Sequence, residues 1–345
     1  MATTIQDIAK ELNISHVAVS NALRGTGRLG VDTRERVIAT AKKMGYRPHA
    51  HARAIRSGRF GCVGLLLTTV AGRSTLTEGL VCGIHDALAE QNLHLIITRL
   101  PDDKLAREGV VPKTLREAMV DGFLVNYTDH IPTKMRQLIR EYHLPVIWIN
   151  VDDSHDCVHP DDHGAGRDLT AWLLEQGHKR IAYADYAHTS TELDEAHYST
   201  HARQAGYEQA MADAGLKPRV IRPDRLLPEP QIESHVRSLL NQPDRPTAII
   251  TYGERGAAPA VFVARLLGLA VPDDLAVASF ADGPMRFGGV HLPTWLVPQD
   301  EVGHEASRML MHKINQRDKS LPTKTVPFRV SLNGETPPAI LAPAV

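Results

Sequence analysis

The first 45 residues place apolar side chains at intervals of three and four, which is the period of helices with one buried face. There are three runs of this kind, and only Asn13-Ile14 separates the first from the start of the second. Two short helices joined by so few residues, followed by a third, predict a helix-turn-helix. The predicted inward side chains are Ile5, Ile8, Ala9 and Leu12 in the first run, Val19 and Leu23 in the second, and Val37, Ala41 and Met44 in the third.

Polar residues mark the predicted starts of these helices. Thr4 is a candidate N-cap, and Asp7 lies three residues later, where its side chain can close the cap. Ser15 is a candidate N-cap for the second helix. The third helix begins near Gly30 or Asp32, and the pattern does not decide between them.

From residue 61 onward, apolar strands alternate with helical patterns, which is typical of βαβ units and parallel sheets. Eight strands allow one sheet, a barrel or two Rossmann-like lobes, and a chain of 345 residues is long enough for two or three domains. The predicted strands are 62–68, 93–98, 122–126, 146–150, 181–184, 248–251, 275–280 and 295–297. The predicted helices are 76–91, 134–142, 164–176, 201–214, 232–241, 256–267 and 301–315.

Charge is distributed unevenly along this pattern. Residues 1–60 contain 11 Lys and Arg against 4 Asp and Glu, a net charge of +7. The whole chain has a net charge of −1, so the remaining residues carry −8. A basic segment that is also a predicted helix-turn-helix indicates a nucleic-acid partner for that segment alone.

Composition narrows the class of protein further. Hydrophobic residues make up 43% of the chain, which is ordinary for a globular protein. No apolar run approaches the roughly 20 residues of a membrane span, and no apolar signal region opens the chain, so we expect a cytoplasmic protein without membrane contact. The three cysteines are far apart, which favours reduced thiols over a disulfide framework.

Five short motifs follow one another in the N-terminal segment, namely Ile5-Gln6-Asp7-Ile8-Ala9, Val19-Ser20, Thr33-Arg34-Glu35-Arg36-Val37, Gly45-Tyr46-Arg47-Pro48 and Ala52-Arg53. In order and spacing they resemble the LacI/GalR (lactose-repressor) family of transcription factors. The rest of the chain resembles that family's sugar-sensing domain more loosely.

The resemblance implies an α/β fold with three parts. Residues 1–48 are expected to form a helix-turn-helix DNA-binding domain, and residues 49–59 a hinge helix, with a plain linker as the alternative. Residues 60–345 are then an effector-binding and dimerisation domain of the two-lobed, periplasmic-binding-protein-like type I. Lobe 1 is expected at about 60–157 and 300–328, and lobe 2 at about 158–298 and 329–340.

The resemblance also implies a function, that of a homodimeric regulator, and specifically a repressor, bound to a pseudo-palindromic double-stranded DNA operator. The recognition helix 16–23 is predicted to read bases in the major groove through His16, Val17 and Asn21, with Ala18 allowing close approach. In the hinge, Ile55 takes the place of a residue that wedges into the minor groove, beside Arg53 and Arg56. The candidate phosphate contacts are Thr4, Ser15, Ser20, Arg24, Tyr46 and Arg47.

For the small-molecule effector, a sugar or sugar derivative is expected. Arg203 precedes Gly206-Tyr207 and matches the family's ligand-binding arginine. Gly253-Glu254 stands where the family usually shows Asn-Asp, and Ala281-Asp282 stands where Asp-Asp is common. Carboxylates expected near 253 and 281 are missing, which predicts a positive cleft and favours an acidic or phosphorylated sugar. The candidate effector-binding residues are Thr68, Asn150, Arg203, Glu254, Asp282 and Gln299.

Two other classes remain as alternatives, an α/β enzyme and a solute-binding protein, both acting on a carbohydrate-like ligand. Neither explains the basic helix-turn-helix, and we predict no enzymatic activity and no cofactor. Residues 155–163 concentrate His, Asp and Cys side chains, but their spacing matches no established zinc motif. We therefore predict no metal site.

Overall fold

The computed structural model describes residues 3–47, 58–70, 73–101, 113–117, 119–127, 131–193 and 196–337. The chain divides into two compact units, Met1–Phe60 and Gly61–Val345. Among the described residues, none of the helices combines the length and the apolar character needed to cross a membrane.

The first unit is a bundle of three short helices, as the apolar spacing predicted. They are α1 (Ile5–Leu12), α2 (His16–Arg24) and α3 (Val31–Lys43). A capping box starts α1, because Asp7 N–H donates to Thr4 Oγ1 and Thr4 N–H donates to the Asp7 carboxylate. Ser15 caps α2 through Ala18 N–H, and Gly30 is the N-cap of α3. The small core is formed by Ile8, Ala9, Val19, Ala22, Val37 and Ala41.

The second unit is built on two six-stranded sheets, so the choice between one sheet and two lobes is settled in favour of two. In the first sheet the strand order is β13-β5-β4-β3-β1-β2, and all the pairs are parallel. Its strands are β1 (Cys62–Thr68), β2 (His94–Leu100), β3 (Gly122–Asn126), β4 (Val146–Ile149), β5 (Cys157–Pro160) and β13 (Lys324–Val326).

The second sheet has the order β14-β12-β9-β8-β6-β7, and only the pair of β12 with β14 is antiparallel within it. Its strands are β6 (Ile181–Ala184), β7 (Arg219–Ile221), β8 (Ala248–Thr251), β9 (Ala276–Ala281), β12 (Thr294–Leu296) and β14 (Arg329–Ser331). A separate hairpin pairs β10 (Met285–Phe287) with β11 (Val290–Leu292).

Helices cover the faces of both sheets. In the first lobe, α11 packs on α4, and in the second lobe α7 packs on α8. All seven predicted helices are present, several beginning two or three residues earlier than predicted. The helices of this unit are α4 (Glu78–Ala89), α5 (Lys113–Arg116), α6 (Thr133–Glu141), α7 (Asp162–Glu175), α8 (Tyr198–Asp213), α9 (Glu229–Leu240), α10 (Glu254–Leu266) and α11 (Gln299–Asn315).

The eight predicted strands are also present. The described residues contain six further strands that were not predicted from the sequence. Each missed strand has only three or four residues, which is too short for apolar alternation to be recognised. Three of these strands, β5, β13 and β14, lie next to the places where the chain crosses between the sheets. The chain crosses after β5, after β12, and between β13 and β14. Because the strands in each sheet are mostly parallel, their carboxyl ends gather at one edge, where ligands of such folds bind.

Candidate functional site

The outward face of α2 is the candidate DNA-reading surface. His16 and Val17 are exposed, Val17 by 54%, whereas Ala18 and Asn21 are half-buried. Val19 and Ala22 point into the core. A half-exposed valine on an otherwise polar surface is well suited to contact a thymine methyl group.

Two of the predicted DNA contacts are joined to each other. An Arg24 Nη2–H donates to Asn21 Oδ1 over 2.9 Å, and Arg24 Nε–H donates to the main-chain oxygen of Ser20. Asn21 thus has its amide oxygen occupied and its amide nitrogen available as a donor. Arg24 therefore orients Asn21 in addition to contributing charge.

Ser20 departs from its predicted role. Its side chain is only 7% exposed, because Ser20 follows Val19 on the inward side of α2. We therefore leave it out of the interface. Thr4, Ser15 and Arg47 are exposed and Tyr46 is half-buried beside the core, whereas Arg53, Ile55 and Arg56 lie outside the described residues.

Arg203 lies in the second lobe as half of a buried ion pair. Its Nε–H donates to Asp162 Oδ1 over 2.7 Å, and the two side chains are 9% and 1% exposed. Arg203 stands on α8 and Asp162 begins α7, so the packing of these helices brings the two together. The guanidinium also lies 4.8–5.4 Å from the ring centroids of Tyr252, Phe280 and Phe328.

The prediction of a positive cleft depended on an unbalanced charge at Arg203, and Asp162 supplies a counter-charge. Burial by itself lowers the pKa of Arg203, but the Asp162 carboxylate raises it above its ordinary value, so the guanidinium stays charged. The expected carboxylates near 253 and 281 are replaced by one that the sequence reading overlooked. The charge of Arg203 is therefore already balanced within the protein.

Tyr198 lies beside this pair, and its hydroxyl interacts with the Asp162 carboxylate. Burial and the nearby Asp162 charge raise the pKa of Tyr198, so its hydroxyl stays protonated. At the start of α11, Gln299 Oε1 is buried and forms no hydrogen bond. This amide oxygen is a pure acceptor, whereas the Tyr198 hydroxyl both donates and accepts.

The other predicted effector residues occupy different surroundings. Thr68 and Asn150 are buried at the carboxyl ends of β1 and β4. Glu254 and Asp282 are exposed, and Asp282 accepts a hydrogen bond from Gln299 Nε2 over 3.1 Å. Gln299 is the first residue of α11, three residues after β12 ends at Leu296.

The sequence reading missed a polar cluster directly after β6. Asp185 is fully buried and accepts hydrogen bonds from Arg222 and from the main-chain N–H groups of Ala187 and His188. Burial by itself raises the pKa of Asp185, but His188 and Arg222 hold it below its ordinary value. His188 in turn packs edge-on against Tyr252. The sequence offered one indication of this cluster, namely that Asp185 directly follows the end of a predicted strand.

The His- and Asp-rich segment 155–163 has a structural role. It contains β5 and the start of α7, and His159 Nδ1 lies 2.8 Å from the main-chain oxygen of Pro160. Within the described part of the chain, no three His, Cys, Asp or Glu side chains are grouped so that they could hold a metal ion.

Comparison with known proteins places this architecture. A family model described as bacterial regulatory proteins, lacI family, matches residues 4–49, and one for a periplasmic binding protein-like domain matches residues 170–332. The HTH-type transcriptional regulator RegA of Clostridium saccharobutylicum is 26% identical over 329 residues, covering 93% of this chain and 96% of that protein.

Solved structures show the same fold over nearly the whole chain. The lac repressor dimer bound to operator and the anti-inducer ONPF has a TM-score of 0.73 at 16% identity, covering 97% of this chain and 99% of that one. The complex of the transcriptional regulator CelR with cellobiose has a TM-score of 0.59 at 20% identity, covering 96% and 99%.

A helix-turn-helix headpiece followed by a two-lobed periplasmic-binding-protein-like domain defines a DNA-binding transcriptional regulator. Its N-terminal domain is that of the lacI family of bacterial regulatory proteins, as the N-terminal motifs indicated. Its relatives are regulators and not enzymes, which sets aside the enzymatic alternative.

Proposed function

We propose that the protein is a cytoplasmic, homodimeric repressor that binds a pseudo-palindromic operator and releases or tightens its hold when a small molecule occupies the cleft. The exposed face of α2 carries the DNA-binding half of the proposal. The basic headpiece adds sequence-independent attraction to the phosphates. The lac repressor structure is that of a dimer bound to operator, and the CelR structure is a complex with cellobiose, so each supports one half of the proposal.

We assign each part of the proposed function to one of the three segments expected from the sequence. Residues 1–48 bind DNA, residues 49–59 form the hinge, and the remainder binds the effector and dimerises. For the hinge residues Arg53, Ile55 and Arg56 the family resemblance is the support. Selection of binding sites from random DNA with the full-length protein tests the proposal directly, because an enzyme or a solute-binding protein enriches no consensus.

Base reading is tested at Val17. Val17→Ala removes the methyl groups that would meet a thymine, so we expect a loss of about 1–3 kcal/mol at one base position and a relaxed preference there. Ile38→Ala is the matched control, because Ile38 is exposed to a similar extent, 50%, but stands on α3. An unchanged consensus for the Val17 variant would show that this face does not read bases.

Arg24 is expected to behave differently from Val17. If it meets a phosphate, Arg24→Ala weakens binding to every sequence and lowers the slope of log affinity against log salt by about one. Because Arg24 also holds Asn21, a modest loss of preference at the Asn21 base is expected in addition. Salt titrations on the selected site and on a scrambled site separate the two effects.

For the effector, we propose a neutral, hydroxyl-rich molecule such as a sugar. The charge of Arg203 is balanced by Asp162, and the buried acceptor Gln299 Oε1 calls for a hydrogen-bond donor. Hydroxyl groups supply such donors without adding charge to a buried site. Calorimetry against neutral sugars, uronic acids and sugar phosphates decides, and tight binding of an anion alone would favour the charge argument from sequence.

The proposed dimer uses apolar side chains left exposed at the edge of the first sheet. Ile96 and Ile97 lie on β2, an edge strand, and Ile97 is 45% exposed. Edge strands of this kind are usually covered by another chain or blunted by charge. Ile97→Lys is therefore expected to shift sedimentation toward the monomer, and an unchanged dimer would place the interface elsewhere.

A further inference from the structure

Among the described residues, one hydrogen bond joins the first lobe to the second outside the segments where the chain itself crosses. His197 Nε2 lies 2.9 Å from the main-chain oxygen of Asn150. Asn150 directly follows β4 of the first sheet. His197 directly precedes α8, whose Tyr207 and Met211 belong to the hydrophobic core of the second sheet. The bond can therefore form only when the two lobes have a relative orientation that brings these two residues within hydrogen-bonding distance.

On the first-lobe side, the accepting carbonyl is held in a fixed orientation. Asn150 has a left-handed backbone with φ 58°, a conformation that asparagine tolerates better than most residues. Its N–H donates to Val158 O over 3.1 Å, and its Nδ2 donates to Asn126 Oδ1 over 3.2 Å. Asn126 Nδ2 donates in turn to Thr75 O over 2.6 Å. The acceptor is thus part of a chain of amide groups within the first lobe.

On the second-lobe side, the histidine is oriented by two hydroxyl groups. His197 Nδ1 lies 2.8 Å from Ser199 Oγ, which lies 2.8 Å from the Tyr252 hydroxyl. A carbonyl oxygen can only accept, so His197 Nε2 must carry the proton. When the ring is neutral, Nδ1 accepts from Ser199, and Ser199 accepts from Tyr252. The hydrogen bonds of this relay thus run from Tyr252 through Ser199 and His197 in the second lobe to the Asn150 carbonyl in the first.

The same relay reaches the candidate effector arginine. The main-chain oxygen of Tyr252 accepts a hydrogen bond from Arg203 Nη1 over 3.4 Å, and the guanidinium lies 4.8 Å from the centroid of the Tyr252 ring. Tyr252 therefore contacts Arg203 on one side and Ser199 on the other. A ligand that displaces Tyr252 also displaces the hydroxyl that orients His197.

We propose that His197 is a positioning residue that latches the second lobe to the first and couples the lobe angle to occupancy of the Arg203 site. The inference rests on the proposed role of the cleft as the effector site. A ligand that binds one lobe angle better than the other shifts the population of latched molecules. For a ligand that binds only the latched form, breaking the latch lowers the apparent affinity by the factor by which the latched population falls.

Hydrogen–deuterium exchange of the full-length protein without ligand tests the latch. His197→Phe keeps an aromatic ring that can pack on Tyr198 but removes the N–H donor. We expect about three- to tenfold faster exchange both in residues 146–152 and in residues 198–203, the effect of losing one typical net hydrogen bond. His201→Phe is the matched control, because His201 bonds to Leu193 O inside the second lobe. It should accelerate exchange around α8 alone.

Two further variants keep the test decisive. His197→Gln retains an N–H donor and should restore slow exchange in residues 146–152. Ser199→Ala leaves the histidine but removes its orienting hydroxyl, and it should raise exchange on both sides by less than His197→Phe does. Ser199→Ala replaces His197→Phe as the test if the phenylalanine variant does not fold.

The outcomes separate the latch from the proposed function. Faster exchange confined to the second lobe in His197→Phe would overturn the latch, because the bond would then support only its own lobe. Failure to select an operator or to bind any sugar would overturn the proposed function and leave the exchange result standing. Both results together would reduce His197 to a structural contact.

Discussion

Replacing one member of the Arg203–Asp162 pair is expected to lower the free energy of unfolding by about 3–5 kcal/mol, because the partner's charge is left buried without a counter-charge. The side chains are 9% and 1% exposed, so water cannot screen the remaining ion. Arg203→Met and Asp162→Asn are the two single variants. Urea unfolding followed by circular dichroism measures the loss.

The double variant Arg203→Met/Asp162→Leu sharpens this expectation. With both charges gone, neither desolvation nor an unpaired ion remains, so the double variant should recover much of the stability lost by either single variant. Arg167→Ala is the matched control, because Arg167 forms a 3.0 Å pair with Asp168 whose side chains are 53% and 60% exposed. Such a pair contributes about 0–1 kcal/mol.

Two results would contradict the expectation. Single variants that cost no more than Arg167→Ala would mean that Arg203 reaches solvent when the lobes open. A double variant that costs the sum of the two single variants would mean that packing, not charge, dominates at this site. In the first case the anionic effector favoured by the sequence would regain its support.

The headpiece could be predicted almost completely from the sequence, because its determinants are local. Thr4 and Asp7 close a cap within three residues. Val19 in α2 and Val37 in α3 each belong to a row of apolar residues at helical spacing within their own helix. The exposure of Val17 follows from the same spacing. Ser20 shows the limit, since its burial depends on how α2 packs against the other two helices.

The candidate effector site could be predicted only in part. Arg203 was found through the family motif, but its partner Asp162 is 41 residues earlier and meets it only because α7 packs on α8. The relay from Tyr252 to Asn150 likewise joins segments of different strands and helices. Apolar periodicity locates the elements, but it does not say which polar side chains face one another.

The packing that brings Arg203 to Asp162 gives the second large expected effect. Helices α7 and α8 cross at two glycines that allow their backbones to touch. A Cβ on Gly166 would lie 2.1 Å from the main-chain oxygen of Arg203, and a Cβ on Gly206 would lie 2.1 Å from that of His163. Both obstacles are backbone atoms, which cannot rotate away as a side chain can.

Gly166→Ala is therefore expected to force the helices apart, with a cost at or above the upper end of the about 1–3 kcal/mol typical of overpacking. The ion pair should weaken with it, since Arg203 is the residue that the new methyl group strikes. Gly283→Ala is the control, because no atom lies within 4 Å of its Cβ position and its φ is not in the left-handed region. We expect that control to stay within about 0.5 kcal/mol of the wild type.

Gly206→Ala should reproduce the effect from the other helix, and the two variants should not add. Once one methyl group has separated the helices, the second meets less resistance, so Gly166→Ala/Gly206→Ala should cost clearly less than the sum of the single variants. Urea unfolding of the three variants measures this difference. Full additivity would mean that each helix relaxes independently. The close crossing would then not be what positions Arg203 against Asp162.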